Sequence, residues 1–122
     1  MATFIHIDIP TDDLDRSKKF YSELFGWTFE KPIPDTEFYL FATKDLQGNE
    51  GIRGGMGARG EPGQSVTNYI GVPSVNEYVK KIEQAGGKAS APMPVPGWGY
   101  LAMCEDTEGN AFGIWEDNPE AA

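Results

Sequence analysis

The feature that most limits what this chain can fold into is a repeat. Tyr39-Leu40 returns as Tyr100-Leu101, and Asp45, Gly48 and Asn49 of DLQGN return as Asp106, Gly109 and Asn110 of DTEGN, each 61 positions on. Two coincidences at one offset, inside the same order of strand, helix and three strands, point to a duplicated unit. Each copy has one amphipathic helix and a few short strands. A sheet that small cannot bury both faces alone, so the copies must pack together.

The elements follow from periodicity. Ile5, Ile7 and Ile9 alternate with Phe4, His6 and Asp8, the pattern of a strand with two unlike faces. Thr11 and Asp12 of TDDLD are N-cap candidates. Leu14, Phe20, Tyr21, Leu24 and Phe25 recur at helical spacing, and Gly26 suits the C-terminal cap. Residues 27–33 and 37–43 read as strands parted by Pro32 and Pro34, and a Gly-rich strand ends at Met56. In the second copy, 66–72 is a strand. Ser74 and Glu77 form a capping-box pattern before the helical run Val75, Tyr78, Val79, Ile82 and Ala85. Gly86 and Gly87 end that helix. Residues 88–95, 98–104 and 111–116 read as strands. The result is one α+β domain over residues 1–122, with modules 1–57 and 66–117 and a Gly/Pro-rich linker at 58–65.

Composition narrows the function classes. The chain has 122 residues, 39% of them hydrophobic, enough for a core of its own. No apolar run approaches the ~20 residues of a membrane helix. The N-terminus enters a strand pattern directly, so no signal peptide is expected. Cys104 is the single cysteine, which fits a reducing, cytoplasmic setting. A formal net charge of −9 with no basic stripe speaks against nucleic acid as a partner. GIRGGMGARG lacks the Lys-Ser/Thr ending of a phosphate loop and reads as a strand and a mobile linker. No nucleophile triad is evident, and Cys104 reads as a buried apolar residue. The one histidine, His6, shares a strand face with Asp8, a pair able to handle a proton if its geometry allows.

Four stretches carry a family resemblance: the strand HIDIP, the helix DLDRSKKFYSELFGW, the second helix ending AGGK, and the closing DTEGNAFGIWE. Together they cover nearly the whole chain. The sequence resembles the vicinal oxygen chelate superfamily, the glyoxalase, bleomycin-resistance and extradiol-dioxygenase group, and its glyoxalase-like members with FYSELFGW and GGM motifs. The resemblance implies two βαβββ modules curling into a mixed sheet with a U-shaped cleft, and a homodimer. It also implies a place for one divalent ion, held by His, Glu or Gln side chains from the first and last strands of the modules. His6 sits at the first-strand position. Its counterpart is Thr67 by the repeat offset, or Tyr69 by aligning Ile9-Pro10 with Val72-Pro73. The last-strand positions fall on Ile52 and Gly113. Glu116, three residues past Gly113, belongs to the opposite strand face.

One imidazole does not make a tight site, since such sites need about three protein ligands. No metal cofactor is therefore expected, and a shifted site built from His6 and Glu50 is the alternative. The expected cleft is lined by His6, Asp8, Glu50, Tyr69, Trp98, Tyr100, Gly113 and Trp115, with Gly113 leaving room for a flat or apolar ligand. Three classes stay open: a metal-independent small-molecule binder, a lyase, isomerase or dioxygenase-type enzyme of the same superfamily, and a regulatory protein with a vestigial cleft.

Overall fold

The alternation of isoleucines with His6 and Asp8 becomes strand β1, Phe4–Thr11. The computed structural model describes residues 2–122 and forms two compact units, His6–Val66 and Thr67–Ala122, the latter joined by residues 2–5. Among the described residues no helix is long and apolar enough to cross a membrane.

The N-terminal unit adds helix α1 (Leu14–Phe25) and strands β2 (Thr28–Glu30), β3 (Phe38–Ala42) and β4 (Arg53–Ala58). Its sheet runs β2-β3-β4-β1. β1 lies parallel to β4, while β3 pairs antiparallel with both β2 and β4. The helix starts later than TDDLD suggests. Its N-cap is Asp13, whose carboxylate accepts the Arg16 N–H at 3.0 Å. Thr11 is still strand, and its hydroxyl is hydrogen-bonded to that of Ser17. Gly26 ends the helix in the left-handed region at φ 72, and its N–H donates to Ser22 O at 3.0 Å.

The helix meets the sheet through rings. Trp27 stacks on Tyr21 at 4.6 Å and on Phe41 at 4.8 Å between centroids. Phe20, Leu24 and Phe25 stay 53%, 62% and 61% exposed, so the apolar stripe is much less covered than its spacing implies. The strand expected over 27–33 shrinks to β2, because Pro32 and Pro34 cannot donate to a ladder.

The C-terminal unit contains β5 (Thr67–Gly71), α2 (Val75–Gln84), β6 (Lys88–Ala89), β7 (Met93–Val95), β8 (Gly99–Glu105) and β9 (Ala111–Asp117). Its order is β5-β9-β8-β6, with β7 also on β8, and β5 is parallel to β9. The single strand expected at 88–95 breaks in two. At the break, Ser90 Oγ accepts the Met103 N–H at 3.0 Å. Ser74 caps α2, accepting the Glu77 N–H at 3.2 Å. Val72, Val75, Ala102, Cys104 and Ile114 form the core, with Tyr78, Val79 and Ile82 of α2 packed on it. Both modules thus follow the βαβββ plan of an α+β fold, the second with its third element interrupted.

The repeated turn is built alike in both units. Asp45 accepts the Gln47 and Asn49 N–H groups, both at 2.9 Å, and Asp106 accepts those of Glu108 and Asn110 at 2.8 and 2.9 Å. Gly48 and Gly109 follow at φ 86 and 81. The bonds from Asn49 to Asp45, and from the side chain and N–H of Asn110 to Asp106, hold both carboxyls below their ordinary value of 3.8. A depressed folded-state value means the ionised form stabilises the fold above pH 3.8, and this contribution is lost as pH falls further through the folded-state value. The Asp45→Asn/Asp106→Asn protein should therefore be less stable than wild type at pH 7, and the gap should close below pH ~3.8. Urea midpoints measured from pH 7 to pH 2.5 check this; a gap that stays constant with pH refutes it.

Candidate functional site

Register and pleat assign the faces of the N-terminal sheet. His6 stands opposite Arg53 and Asp8 opposite Gly55, and residues opposed on neighbouring strands share a face. The opposite face belongs to α1: Phe41 and Tyr39 lie there, opposed to Gly54 and Met56. The open face therefore presents His6, Asp8, Arg53, Gly55, Gly57 and Phe38.

His6 and Asp8 meet as expected from their shared parity. Nε2 of His6 lies 2.7 Å from Oδ1 of Asp8, with the side chains 31% and 41% exposed. A carboxylate can only accept, so Nε2 carries the hydrogen. Phe38 adjoins this pair. A Cβ placed on Gly55 would lie 2.7 Å from Phe38 Cζ and 2.9 Å from Asp8 Oδ1. The glycine is a floor on which ring and carboxylate rest side by side. The strand read in GIRGGMGARG is β4, Arg53–Ala58, and its glycines are packed.

The register of this module sets a residue opposite His6 that the sequence count did not name. Ile52 precedes β4, and Arg53 is the residue opposite His6. Its guanidinium pairs with Glu50 at 3.1 Å, the two side chains 66% and 78% exposed. The Glu50 backbone pairs with that of Lys44 in an isolated antiparallel β-bridge. The shifted site from His6 and Glu50 would therefore place a cation where Glu50 already holds one. The sequence count missed Arg53. The available signal was the alternation within RGGMGA, where Gly54 and Met56 must face the helix.

In the C-terminal unit, Tyr69 stands opposite Gly113, and Gly71 opposite Trp115. Tyr69 rather than Thr67 is the partner of the last-strand position. Gly113 does not open a space, because a Cβ there would lie 2.4 Å from the Tyr69 ring. That ring, 8% exposed, occupies the room, and its hydroxyl reaches Met103 Sδ at 3.9 Å. Trp115 lies over Gly99 in the same way, 2.7 Å from the Cβ position, and its indole N–H donates to Asp117 at 2.7 Å. Tyr100 corrects the expected lining. It alternates with Gly99 and Leu101, shares parity with Ala102 and Cys104, and packs on the α2 core. Trp98 lies just outside β8 and is 57% exposed.

Glu116 faces α2, as parity requires, and accepts the Val75 N–H at 2.9 Å. It satisfies a donor left over in the first turn, at the positive end of the helix dipole. Cys104 is 4% exposed, and burial pushes its thiol up, away from the thiolate a nucleophile needs.

The donor set does not fit the metal that the resemblance implies. Among the described residues no group of three or more His, Cys, Asp or Glu is placed to hold an ion. An arginine stands opposite His6, and Gly113 is covered by the Tyr69 ring. A separate polar depression, lined by Asp12, Asp13, Asp15, Lys31, Glu37 and Tyr39, lies on the α1 side of the N-terminal sheet.

Comparison with known proteins agrees with this architecture. The bleomycin resistance protein-like N-terminal family matches residues 3–43. A glyoxylase-like domain-containing protein of Didymella fabae is 30% identical over 118 residues, covering 88% of each chain. CFP32 of Mycobacterium tuberculosis, provisionally named a glyoxylase, is 30% identical over 116 residues; these cover 92% of this chain but 44% of CFP32, so the chain spans under half of that relative. Among solved structures, a methylmalonyl-CoA epimerase in complex with methylmalonyl-CoA superposes with a TM-score of 0.70 at 14% identity, covering 100% and 99% of the two chains. A point variant of the Streptomyces coelicolor methylmalonyl-CoA epimerase gives 0.69 at 15% identity, covering 98% and 97%. At such identities the likeness is one of fold.

Proposed function

The chain belongs to the vicinal oxygen chelate superfamily, in its glyoxalase and bleomycin-resistance-like branch, and from that premise we propose that it binds a small molecule without a resident metal ion. The observation that carries the reading is Arg53 opposite His6, where the family's metal ligand set would need a carboxylate or amide. An arginine on the strand position paired with His6 adds a positive charge and no ligand atom, which disfavours a divalent cation there. The retained His6–Asp8 pair and the Phe38 ring supply what a small polar-aromatic ligand needs: hydrogen-bonding groups beside an apolar surface. In the same reading the protein works as a cytoplasmic homodimer.

The test is elemental analysis joined to a ligand screen. Protein purified without chelator should carry well under one zinc, nickel, manganese or iron per chain. Those ions should leave the melting temperature unchanged, whereas a cognate small molecule should raise it by mass action. One ion per chain that survives dialysis and disappears in His6→Ala would overturn the reading and put the metal-dependent enzyme in its place.

A further inference from the structure

We infer that the open face of the N-terminal unit is a carboxylate-binding site, with Arg53 as the anchor, Glu50 as its internal competitor and Phe38 as the surface for a planar body. The inference rests on the small-molecule reading above and names the ligand class.

Arg53 is the sole Lys or Arg among the paired strand residues of this face, whose acids are Asp8 and Glu30. In a chain of net charge −9, a lone guanidinium beside the family's ligand position stands out. A guanidinium is planar and presents paired N–H donors that match the two oxygens of a carboxylate. It can thus grip two neighbouring oxygens of a ligand with no metal between.

Its present partner is weakly committed. The Glu50 pair is a single 3.1 Å contact between side chains 66% and 78% exposed. Such surface pairs contribute little and exchange readily with solvent. A ligand carboxylate can therefore displace Glu50 at small cost, and gains a second hydrogen bond if it binds in bidentate fashion. Asp8, the nearer of the two acids, has its Oδ1 on the His6 imidazole at 2.7 Å, which occupies one of its oxygens with a donor. Phe38 offers an aromatic surface on the same sheet face, lying over Gly55, two residues along β4 from Arg53, where the missing side chain keeps the ring low against the sheet. The arrangement suits a flat, apolar or aromatic acid.

Benzoate is the probe and benzamide its neutral isostere. Both are titrated into 15N-labelled full-length protein, following the Arg53 side-chain Nε–Hε resonance and the backbone amides of β1 and β4. Benzoate should shift these signals saturably and bind about tenfold tighter than benzamide, a ratio typical of one charge-assisted bidentate contact. Arg53→Gln should weaken benzoate by about the same factor, while Glu50→Gln should strengthen it a few-fold by removing the competitor. Lys80→Gln, which removes an equal charge from an exposed position on α2, should leave it unchanged. Equal affinities for benzoate and benzamide, no benzoate binding, an unaffected Arg53→Gln protein, or a Glu50→Gln protein that binds more weakly would each overturn the inference. If benzoate fails while a neutral ligand from the thermal screen still binds, the anion site falls and the small-molecule reading stands. A tightly held metal ion would remove the reading itself.

Discussion

Gly54→Val is expected to leave no stably folded protein, while Gly57→Ala, three residues along the same strand, should lower stability by less than about 1 kcal/mol. A Cβ on Gly54 would lie 2.1 Å from the Ile7 carbonyl oxygen and 2.2 Å from Phe41 Cζ. The ring could in principle rotate away. The carbonyl could not, because it belongs to the parallel pairing of β1 with β4. Moving Phe41 would also break its stack on Trp27, which ties α1 to the sheet. Overpacking alone costs roughly 1–3 kcal/mol, and here it is joined by loss of a strand pairing, against a total stability of about 5–15 kcal/mol. At Gly57 the nearest atom, Phe38 Cδ2, is 3.4 Å away and belongs to a side chain at the edge of the contact. Circular dichroism and urea unfolding of the two variants check the contrast. A Gly54→Val protein that unfolds cooperatively within about 1 kcal/mol of wild type would show that the glycines of β4 are not there for packing.

The second large effect is a coupling. Gly113→Ala and Tyr69→Ala should each destabilise, by about 2 and 3 kcal/mol respectively, the first through overpacking and the second through lost aromatic burial. Together they should cost at least about 1 kcal/mol less than their sum, because the added methyl enters the space the ring has left. The geometric basis is the 2.4 Å approach of a Gly113 Cβ to two atoms of the Tyr69 ring. The ring is itself nearly buried, at 8% exposure, so it has little freedom to yield. A double-mutant cycle by urea denaturation measures the coupling directly. Strict additivity would mean that Gly113 and Tyr69 do not share that volume. The result also bears on function, since a side-chain ligand at position 113 would have to evict the tyrosine first.

Most of the local architecture was legible in the residues. The caps at Ser74 and Gly26 and the paired Asp turns use side-chain and backbone chemistry that acts over three or four residues. Strand alternation likewise placed His6 and Asp8 together, and within the second unit it put Glu116 on the face opposite Gly113, since the pleat has a period of two. The misreadings also have local causes. Thr11 and Asp12 looked like caps because Asp13 was one residue further on, and Pro32 and Pro34 cut short a strand that the aromatic residues before them suggested.

The residues alone carry the family, the α+β class, the twofold repeat and the face on which the histidine lies. Tertiary structure alone decided what stands opposite that histidine. In the first module His6 faces Arg53, 47 residues on, whereas in the second Tyr69 faces Gly113, 44 residues on. The repeat offset cannot reveal this difference of three. Register between parallel strands is set by side-chain packing and by the ladder itself, across dozens of intervening residues, and an odd shift carries every side chain to the other face. Register thus set Arg53 opposite His6, and it set Tyr69 opposite Gly113, where its ring fills the space that the glycine was expected to open. Long-range pairing placed a guanidinium and a ring where a local count had left a gap.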